Sequence, residues 1–431
     1  MNSLHGANSP GVAPARRLRL VVLCPHFAPD IAPTGKVMTQ LVAEWGALGH
    51  EVHVVTSLPW YRNHQVDAAW RGRWIRREQT AWGSVTRIHP FPAKSKSNIA
   101  ARAVAFVAFS VIAGLCAMFA GRRRRRFARI DAVIAMSPPL TLGVVGWFAA
   151  VVRRGRLIFN VQDVFPDAVI RTGAVTSRPL IALAAVLERF TYRRSSAVVV
   201  LSPDLQRNVQ AKLPARYAHR VHVVENFVDI AEVRPQDRMT NYRHQLGLGD
   251  EVVVMYAGNV GFSQSLDTLI AAARQLPQVS FVINGAGAAL TKLQHDARNL
   301  RNVRFGDYQP DDRLGEVLAT ADIHVVPLRA GLATVSVPSK TYTILAAGRC
   351  IVASVDRDSA IDRLVARADA GITVPPDDVG SLTQAIALLA ADAARRDAHG
   401  RAGRAFIERH ATARDAAAAF ARLVPDSLSD S

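Results

Sequence analysis

The chain has 431 residues, which is too long for one ordinary hydrophobic core and sufficient for two domains. Hydrophobic residues make up 49% of the sequence and charged residues 20%, a globular composition that excludes a disordered or fibrous chain. The formal net charge of +18 favours a polyanionic partner or an anionic surface: a nucleic acid, a membrane or a phosphorylated substrate. Only six of the 53 basic residues are lysines, so a coding bias towards arginine is an alternative origin of the average charge.

The cysteines and the N-terminal segment indicate the compartment. Cys24, Cys116 and Cys350 lie far apart without paired spacing, which argues against a disulfide framework or a zinc site and indicates a reducing environment. Residues 1–15 are rich in Gly, Pro, Ser and Ala and contain no hydrophobic segment, so we interpret them as a loose tail and not as a signal peptide.

Short β-branched runs alternate with Ala- and Leu-rich helical stretches from Leu18 onward. A first series of predicted strands covers 18–25, 51–57, 131–137, 157–163, 197–202 and 221–226, and a second covers 251–259, 279–285, 303–308, 322–328, 350–356 and 371–376. Nearly continuous apolar runs, each followed by a turn and a helix, are typical of buried parallel strands in βαβ units. The sequence therefore predicts an α/β fold with two Rossmann-like, doubly wound parallel-sheet domains facing across a cleft.

The domain boundaries follow from the two series of strands. We expect a disordered tail at 1–16, an N-terminal domain at 17–228, a linker at 229–244 and a C-terminal domain at 245–405. The remaining residues, 406–431, are expected to form a C-terminal helix and tail that can pack back on the N-terminal domain. Ligands of doubly wound sheets bind beyond the carboxyl ends of the strands, so the site should lie in the cleft.

The most apolar part of the first domain is residues 103–121, nineteen residues without a charge, followed by five arginines at 122–126. This length and basic flank are typical of a membrane span. A single crossing, however, would put the strands predicted at 51–57 and 131–137 on opposite sides of the bilayer. We therefore predict a helix lying in an anionic membrane surface, with a buried core helix as the alternative. Residues 139–156 repeat the apolar-then-basic pattern, so 103–126 and 139–156 are the predicted membrane contacts.

Gly35 and Lys36 follow the first predicted strand, in the segment CPHFAPDIAPTGK, and begin a helix. A glycine at this point lets backbone amides approach an anion, and the helix dipole favours a phosphate there. Lys36 would add a positive charge. A plain Pro-rich turn in which Gly35 only caps the helix is the alternative.

The second domain has a polar, Gly-containing helix start at the equivalent place, formed by Gly258, Asn259, Gly261 and Gln264. Further on, Gly285 and Gly287 imitate the dinucleotide-binding fingerprint. The third glycine is absent and the segment belongs to the second strand–helix unit of its domain, so we do not assign a nicotinamide site there.

The segment at 337–356 is the most informative for phosphate binding. Pro338 and Ser339 are expected to cap a helix with Lys340 in its first turn, and a cation beside helix amides fits a diphosphate. Lys36 and Lys340 thus place two of only six lysines at proposed phosphate turns. Chance placement of surface lysines is the alternative.

As a set, these segments resemble glycosyltransferase family 4, which has the GT-B fold, and are most similar to its exopolysaccharide and colanic-acid type. The segments that carry the resemblance run in family order over most of 18–405: FAPDIAPTGK, GHEVHVVTSLPWY, NVQDVFPDAVIRTG, SSAVVVLSPDL, VHVVENFVD, AGNVGFSQSLDTL and PSKTYTILAAGRCIVAS. The resemblance implies transfer of a sugar from a nucleotide-diphosphate donor with retention of anomeric configuration. It also implies a donor held mainly by the C-terminal domain, an acceptor in the N-terminal domain, and no metal or cofactor, so helix amides and basic side chains must stabilise the departing diphosphate.

The chain departs from the family pattern in the acidic and basic groups. Many members carry two acidic residues eight apart around the last motif, where this chain has Val335 and Thr343. The usual Arg and Lys of the Gly-rich loop fall at Asn259 and Gln264. A histidine that often faces the donor sugar appears as Gln162. Lys340 is a plausible replacement for the lost phosphate charge, and an inactive protein is the alternative.

The expected site follows from the motifs and the resemblance together. The catalytic candidates are Gln162 and Asp163. The base pocket is expected near Gly285, Gly287 and Tyr308, and no metal site is expected. The donor-binding candidates are Gly35, Lys36, Gly258, Asn259, Gln264, Gly285, Gly287, Tyr308, Pro338, Ser339, Lys340 and Thr343. Among the other polar residues, Asp204 is interpreted as a helix cap, Glu188, which has arginines nearby in sequence, as a structural ion-pair group, and His26 as a core or edge residue.

The sequence therefore predicts a retaining glycosyltransferase that extends a polyprenyl-linked saccharide in surface polysaccharide synthesis. It would be peripheral on the cytoplasmic face of the cell membrane and would not bind nucleic acid. A nucleotide-sugar 2-epimerase of GT-B fold is one alternative, and a non-catalytic basic protein binding membranes or nucleic acid is another. The second alternative is disfavoured because the basic clusters follow apolar runs and are not interleaved with aromatic residues.

Overall fold

The computed structural model describes residues 16–61, 65–92, 99–122, 129–171, 173, 175, 177–410 and 412–424. The N-terminal part contains these elements: β1 (Arg19–Leu23), α1 (Pro33–Ala47), β2 (Glu51–Ser57), β3 (Ile75–Thr80), β4 (Gly83–Ile88), α2 (Ile99–Phe119), β5 (Ala132–Ser137), α3 (Thr141–Val152), β6 (Arg156–Val161), α4 (Asp167–Arg171), α5 (Arg178–Arg194), β7 (Ala197–Val200), α6 (Pro203–Ala211) and β8 (Val221–Val223).

The second part of the chain repeats the alternation of strands and helices. Its elements are α7 (Asn241–Gln245), β9 (Val253–Ala257), α8 (Leu266–Gln275), β10 (Ser280–Asn284), α9 (Leu290–Asp296), β11 (Val303–Gly306), α10 (Leu314–Ala319), β12 (Ile323–Pro327), α11 (Lys340–Ala346), β13 (Cys350–Ser354), α12 (Ala360–Arg367), β14 (Gly371–Val374), α13 (Val379–Ala391), α14 (Ala393–His410) and α15 (Ala413–Arg422).

The strands form two separate sheets. The first has the order β3-β4-β2-β1-β5-β6-β7-β8 and is parallel except for β3, which runs antiparallel to β4. The second has the order β11-β10-β9-β12-β13-β14 and is parallel throughout. The predicted α/β fold with two doubly wound sheets is confirmed. The sequence patterns missed β3 and β4, whose hairpin extends one edge of the first sheet.

The strand orders fix where ligands can bind. In the first sheet the order reverses between β1 and β5, and in the second between β9 and β12. Neighbouring loops lead away in opposite directions at such a point and leave a crevice at the carboxyl ends of the strands. Residues that follow β1, β5, β9 and β12 therefore line the two crevices, and Gly35, Gly258 and Lys340 belong to these segments.

Helices cover both faces of the first sheet. On one face, α1 and the C-terminal helix α15 pack together: the fully buried indole of Trp45 donates to the Ala417 carbonyl at 2.9 Å, and Phe420 contacts its edge at 5.8 Å between ring centroids. On the other face, α2, α3 and α5 bury residues such as Phe109, Leu142 and Tyr192. Helix α15, the last helix of the described residues, therefore completes the core of the N-terminal domain.

The second sheet is covered in the same way. Helices α8 and α13 pack on one face through residues such as Leu269 and Ile386. Helices α11, α12 and α14 pack on the other through Leu345, Leu364 and Ile407, which belong to a hydrophobic cluster that continues into the N-terminal domain. The linker expected at 229–244 contains the start of α7, and Tyr242 of this helix is buried against the C-terminal domain.

Helices α2 and α3 leave a large apolar surface exposed to solvent, which we call the apolar face. On α2 the exposed fraction of a side chain ranges from 44% at Phe119 to 69% at Val104. The apolar face consists of Val104, Val107, Val111, Leu115 and Phe119 on α2 and of Phe148, Val151 and Val152 on α3. No helix among the described residues is both long enough and apolar enough to cross a membrane.

The arginines next to the apolar face do not all point to solvent. Arg154 and Arg156 are exposed, whereas Arg153 is buried and donates to the Ala117, Met118 and Ala120 carbonyls at 3.3, 3.2 and 2.8 Å. The prediction that 153–156 faces a membrane throughout is therefore wrong for Arg153, because its guanidinium caps the carboxyl end of α2. Residues 123–126 of the predicted contact lie outside the described residues.

Candidate active site

Lys340 lies at the crevice of the second sheet, against the loop that follows β9. Its Nζ is 3.7 Å from the ring centroid of Tyr256 and would be 3.0 Å from a Cβ placed on Gly258. Gly258 has a φ of +138°, which side chains disfavour, so both its backbone and its missing side chain make room for the lysine. Two predicted donor-binding residues are thus in direct proximity.

The ammonium group of Lys340 is poorly compensated. Burial lowers the pKa of Lys340 to about 7, and no carboxylate among the described residues forms an ion pair with it. The π-face of Tyr256 provides the remaining stabilisation. A lysine in this state gains its proton most readily when an anion enters the crevice, which suits a phosphate group.

Gly285 and Gly287 are required by packing in this structure. A Cβ on Gly285 would lie 2.0 Å from the Gly258 carbonyl oxygen, and one on Gly287 would lie 2.2 Å from that of Val260. The Val260 N–H donates to the Ala286 carbonyl at 2.9 Å, so the two loops run side by side. The glycines therefore support the loop at Gly258 whether or not a base binds there.

Asn259 and Gln264 replace the cationic residues of the family pattern, and they differ in exposure. Asn259 is exposed. The side-chain oxygen of Gln264 accepts a hydrogen bond from the Gly261 N–H at 3.1 Å, which stabilises the turn before α8. Gln264 thus shapes the loop, and Asn259 is the side chain of the pair that is open to a ligand.

The backbone N–H groups of the second and third residues of α11 already donate to the carbonyls of the two residues before the helix, at 3.2 and 3.1 Å. Ser339 is the N-terminal cap residue and is exposed, but its side chain caps no backbone N–H. The Thr343 hydroxyl donates to the Lys340 carbonyl at 2.8 Å, inside the helix. Val335 is fully buried. A carboxylate at Val335 would therefore be desolvated in this conformation, which is a physical reason for an apolar residue there.

Asp163 meets the C-terminal domain at the end of β6. The Ser336 hydroxyl hydrogen-bonds to its carboxylate, and burial raises the pKa of Asp163 although this hydrogen bond opposes the rise. The next residue continues the contact, because the Val164 N–H donates to the Val335 carbonyl at 2.8 Å. Its neighbour Gln162 is buried and donates to Asn160 at 3.0 Å, within the N-terminal domain.

Tyr308 and Tyr61 approach each other across the cleft. Burial and, as a smaller cause, the nearby phenol of Tyr61 together raise the pKa of Tyr308 to about 12. Tyr308 in turn contributes to the raised pKa of Tyr256, after the larger effect of burial. Half of the Tyr308 side chain remains exposed, so its ring is accessible to a ligand such as the expected base.

The predicted phosphate-binding turn of the first sheet, at Gly35 and Lys36, differs from the Lys340 site because its lysine has an acidic partner. Gly35 is packed so tightly that a Cβ would lie 2.8 Å from that of His26. Lys36 forms an ion pair with Glu232 in the segment between the domains. His26 is held at Nδ1 by Asp30 at 2.6 Å and stacks on Trp60 with 5.6 Å between ring centroids. Lys36 is therefore compensated, in contrast to Lys340.

The structure corrects the interpretation of Asp204 and gives Glu188 a partner that the sequence did not indicate. Ser202, not Asp204, caps α6, and Asp204 instead pairs with Arg363 of the C-terminal domain at 2.9 Å. Glu188 is a structural ion-pair group, as predicted, but its partner is Lys212 and not an arginine near it in sequence. It accepts from Lys212 at 2.7 Å and from Tyr192 at 2.9 Å. Neither outcome was readable from sequence, since both partners come from other elements.

The structure brings together part of the predicted site. Gly258, Lys340 and the 285–287 loop form one cluster, and Asp163 reaches the neighbouring loop through Ser336. The described contacts of Gln162 and Lys36 lead elsewhere. Sequence reasoning missed Tyr256, Ser336 and Tyr61. An aromatic residue at the end of a predicted strand, two positions before a glycine, was an available signal for Tyr256.

Two family profiles match the two halves of the fold. The Glycosyl transferase 4-like domain matches residues 34–226, and the domain described as Glycosyl transferases group 1 matches residues 251–392. These domains on two facing doubly wound sheets define a GT-B glycosyltransferase. The chain belongs to glycosyltransferase family 4, and it is a glycosyltransferase, as the motifs predicted.

Relatives cover nearly the whole chain. The putative colanic acid biosynthesis glycosyl transferase WcaI of Escherichia coli K12 is 27% identical over 383 residues, covering 86% of this chain and 91% of that protein. Among solved structures, sucrose-phosphate synthase of Thermosynechococcus elongatus superposes with a TM-score of 0.70 at 18% identity, covering 94% and 98% of the two chains. Anabaena HepE, solved with UDP and glucose, gives a TM-score of 0.67 at 15% identity, covering 94% and 99%. The likeness to these two structures concerns the fold.

Proposed function

We propose that this glycosyltransferase moves a sugar from a nucleoside diphosphate donor to a polyprenyl-linked saccharide during synthesis of a surface polysaccharide. The observation that carries the donor part is the uncompensated Lys340 beside Gly258, at the crevice of the second sheet. A diphosphate in this crevice would neutralise the ammonium group of Lys340 through charge-assisted hydrogen bonds. The UDP complex of Anabaena HepE, which shares the fold, supports this class of donor.

The positions of Lys340 and Asp163 indicate how each would contribute to sugar transfer. Breaking the bond between the sugar and the diphosphate leaves negative charge on the departing phosphate, and Lys340 stabilises that charge. Asp163 lies on the other side of the cleft, where an acceptor held by the N-terminal domain would meet the donor sugar. We propose retention of the anomeric configuration and no requirement for a metal, both on the resemblance to family 4.

The acceptor and the location are inferred from the apolar face. Eight exposed large apolar side chains lie on two adjacent helices of the N-terminal domain, a contiguous patch of a kind that marks interaction with a protein or a membrane. Residues 99–162 contain ten arginines and one acidic residue, Asp131, so an anionic membrane is the complementary partner. We propose that the enzyme is peripheral on the cytoplasmic face of the cell membrane and takes a lipid-linked acceptor from it. The colanic acid relative supports a role in polysaccharide synthesis.

Transfer to lipid tests this function. Membranes of the producing cell would be incubated with purified protein and labelled UDP-, GDP- and ADP-sugars, and label should enter the lipid-linked saccharide fraction from one of them. Label should still be transferred in the presence of EDTA, and the anomeric coupling constant of the product should match that of the donor. Absence of transfer from every donor contradicts the proposal, and sugar isomerisation without an acceptor would indicate an epimerase.

A further inference from the structure

Helix α5 carries exposed apolar side chains that the sequence patterns did not point to. Leu183 is 56% exposed and Val186 is 58% exposed, one helical turn apart. The opposite side of the helix, with Ala184, Glu188 and Tyr192, is buried in the N-terminal domain. Exposed apolar side chains mark an interaction site when they belong to a larger apolar patch, so the surroundings of Leu183 and Val186 decide their meaning.

The outer side of α5 continues the apolar face. The ring of Phe190 on α5 meets the edge of Trp147 on α3 with 5.3 Å between centroids. The guanidinium of Arg194 lies 5.1 Å from the centroid of the same Trp147 ring. Since α3 also packs on α2, the exposed apolar side chains of the three helices lie on one side of the sheet.

The charge on α5 is complementary to an anionic surface. Arg178, Arg189, Arg193 and Arg194 are exposed. The one acidic residue of the helix, Glu188, is turned inward and bound to Lys212 and Tyr192. The outward surface of α5 therefore combines apolar and cationic side chains, the combination that binds helices to anionic bilayers.

We propose that α5 is a third membrane-binding helix, which lies with α2 and α3 on an anionic phospholipid bilayer. This inference rests on one part of the proposed function, the membrane contact through α2 and α3, and adds α5 to that contact. Lys212 bridges α4 and α5, since it donates to Asp167 at 2.9 Å and to Glu188 at 2.7 Å. On α4, Arg171 hydrogen-bonds to the Gly331 carbonyl of the C-terminal domain, so α5 lies close to the boundary between the domains. The bilayer would thus meet the protein beside the cleft, where a lipid-linked acceptor can enter from the membrane.

Vesicle flotation of the full-length chain tests this inference. Leu183→Glu/Val186→Glu should lower partitioning onto phosphatidylglycerol-containing vesicles at least tenfold relative to the unmodified protein. Leu388→Glu, at a leucine 47% exposed on α13 of the C-terminal domain, is the matched control and should bind as the unmodified protein does. Unchanged flotation of the α5 variant, or no flotation of the unmodified protein, overturns the inference.

A second measurement avoids the charged substitutions. A fluorophore on Leu183→Cys, in a Cys116→Ser background, should be quenched by nitroxide lipids, whereas one on Leu388→Cys should not. Equal quenching at the two sites, or none at 183, overturns the inference. Light scattering without lipid tests whether a second copy of the chain covers α5 in place of a bilayer. If the unmodified protein is a dimer and the Leu183→Glu/Val186→Glu variant is a monomer, the inference is also overturned. Flotation needs no catalysis, so loss of sugar transfer with intact flotation contradicts the proposed function alone.

Discussion

Lys340 is the residue on which the proposed donor site depends most. It is a lysine in a chain that uses arginine almost everywhere else, and it lies over Tyr256 without a carboxylate partner among the described residues. An arginine would be larger and would not lose its proton under these conditions, so the two are not interchangeable here. The compact ammonium fits beside Gly258, where a Cβ would already be 3.0 Å from Nζ.

Replacing Lys340 with alanine should weaken UDP binding. We expect a loss of about 1–3 kcal/mol, or about 5- to 150-fold in Kd, because a charge-assisted hydrogen bond to the diphosphate is removed. Isothermal titration calorimetry measures this directly. Lys292→Ala is the control, since Lys292 is an exposed lysine of the same domain paired with Asp296 at 2.7 Å. Equal affinity of the Lys340→Ala variant and the unmodified protein would exclude Lys340 from the donor site.

The affinity for UDP should depend on pH through Lys340. The pKa of Lys340 in the free protein is about 7, and a bound diphosphate favours the protonated form, so the pKa in the complex is higher. The affinity for UDP is therefore highest below pH 7, where Lys340 is protonated before UDP binds. Above pH 7 the association constant falls by about tenfold per pH unit until the pH reaches the pKa of Lys340 in the complex. Calorimetry in two buffers at pH 8 should detect proton uptake. The Lys340→Ala variant should lack both effects, and a pH-independent affinity of the unmodified protein contradicts the prediction.

Asp163 should be needed for turnover and not for donor binding. Asp163→Asn keeps a hydrogen-bond acceptor for Ser336 but removes the carboxylate, and we expect kcat to fall by about 100-fold or more, with the Kd for UDP unchanged. The matched variant Ser336→Ala removes this hydrogen bond between the domains and keeps the carboxylate. If Ser336→Ala is as inactive as Asp163→Asn, the role of Asp163 is to join the domains.

At the scale of elements, α15 is an integral part of the N-terminal core although it comes from the end of the chain. Its Phe420 is 3% exposed and packs on Trp45 of α1. The hydrogen bond from Trp45 to Ala417 satisfies a buried indole N–H that would otherwise have no partner there. The sequence predicts a helix within 406–431 that can pack on the N-terminal domain, and the structure identifies Trp45 as its contact.

Truncating Phe420 should destabilise the protein substantially. Phe420→Ala is expected to lower the free energy of unfolding by about 3–5 kcal/mol, because it leaves a cavity beside Trp45. Arg422→Ala, at an exposed position of the same helix, should change it by less than about 0.5 kcal/mol. Urea denaturation followed by tryptophan fluorescence compares the two. A Phe420→Ala variant as stable as the unmodified protein would show that α15 does not dock on α1 in solution.

The amphipathic pattern of β3, one of the two strands that the sequence patterns missed, explains why it was not predicted. β3 (Ile75–Thr80) reads IRREQT and is exposed or half-buried along its whole length, so it lacks the apolar run that identified the buried strands. It is held by antiparallel pairing with β4, which itself pairs with β2. Edge strands of this kind depend on neighbours that sequence periodicity does not reveal.

At the scale of the whole molecule, the two domains share buried structure. Residues 328–337, after β12, pack against the N-terminal domain, where Val335 accepts a hydrogen bond from Val164 at 2.8 Å. Ion pairs between Asp204 and Arg363 and between Lys36 and Glu232 also join different parts of the chain around the cleft. One hydrophobic cluster runs through both domains and includes Val164, Leu332 and Val335.

The shared cluster predicts that the two domains unfold together. Scanning calorimetry of the free protein should give one cooperative transition, because separating the domains exposes the cluster that stabilises both. UDP should raise the midpoint of the whole transition, although the proposed site for it lies mainly in the C-terminal domain. Two well-separated transitions, with only one of them shifted by UDP, would contradict this prediction.

The sequence by itself determined the fold class, twelve of the fourteen strands of the described chain and the glycine- and lysine-containing turns, because each is encoded locally by periodicity, turn residues and motif order. Tertiary structure decided which of the two lysines in those turns lacks an acidic partner. Lys36 and Lys340 look alike in sequence, but Glu232 neutralises the first, whereas the second meets only the ring of Tyr256 and a glycine. It also decided that Arg153 points into the protein and that α5 shares a surface with α2 and α3. Partners distant in sequence set these properties, since electrostatic compensation and burial depend on what surrounds a group in space.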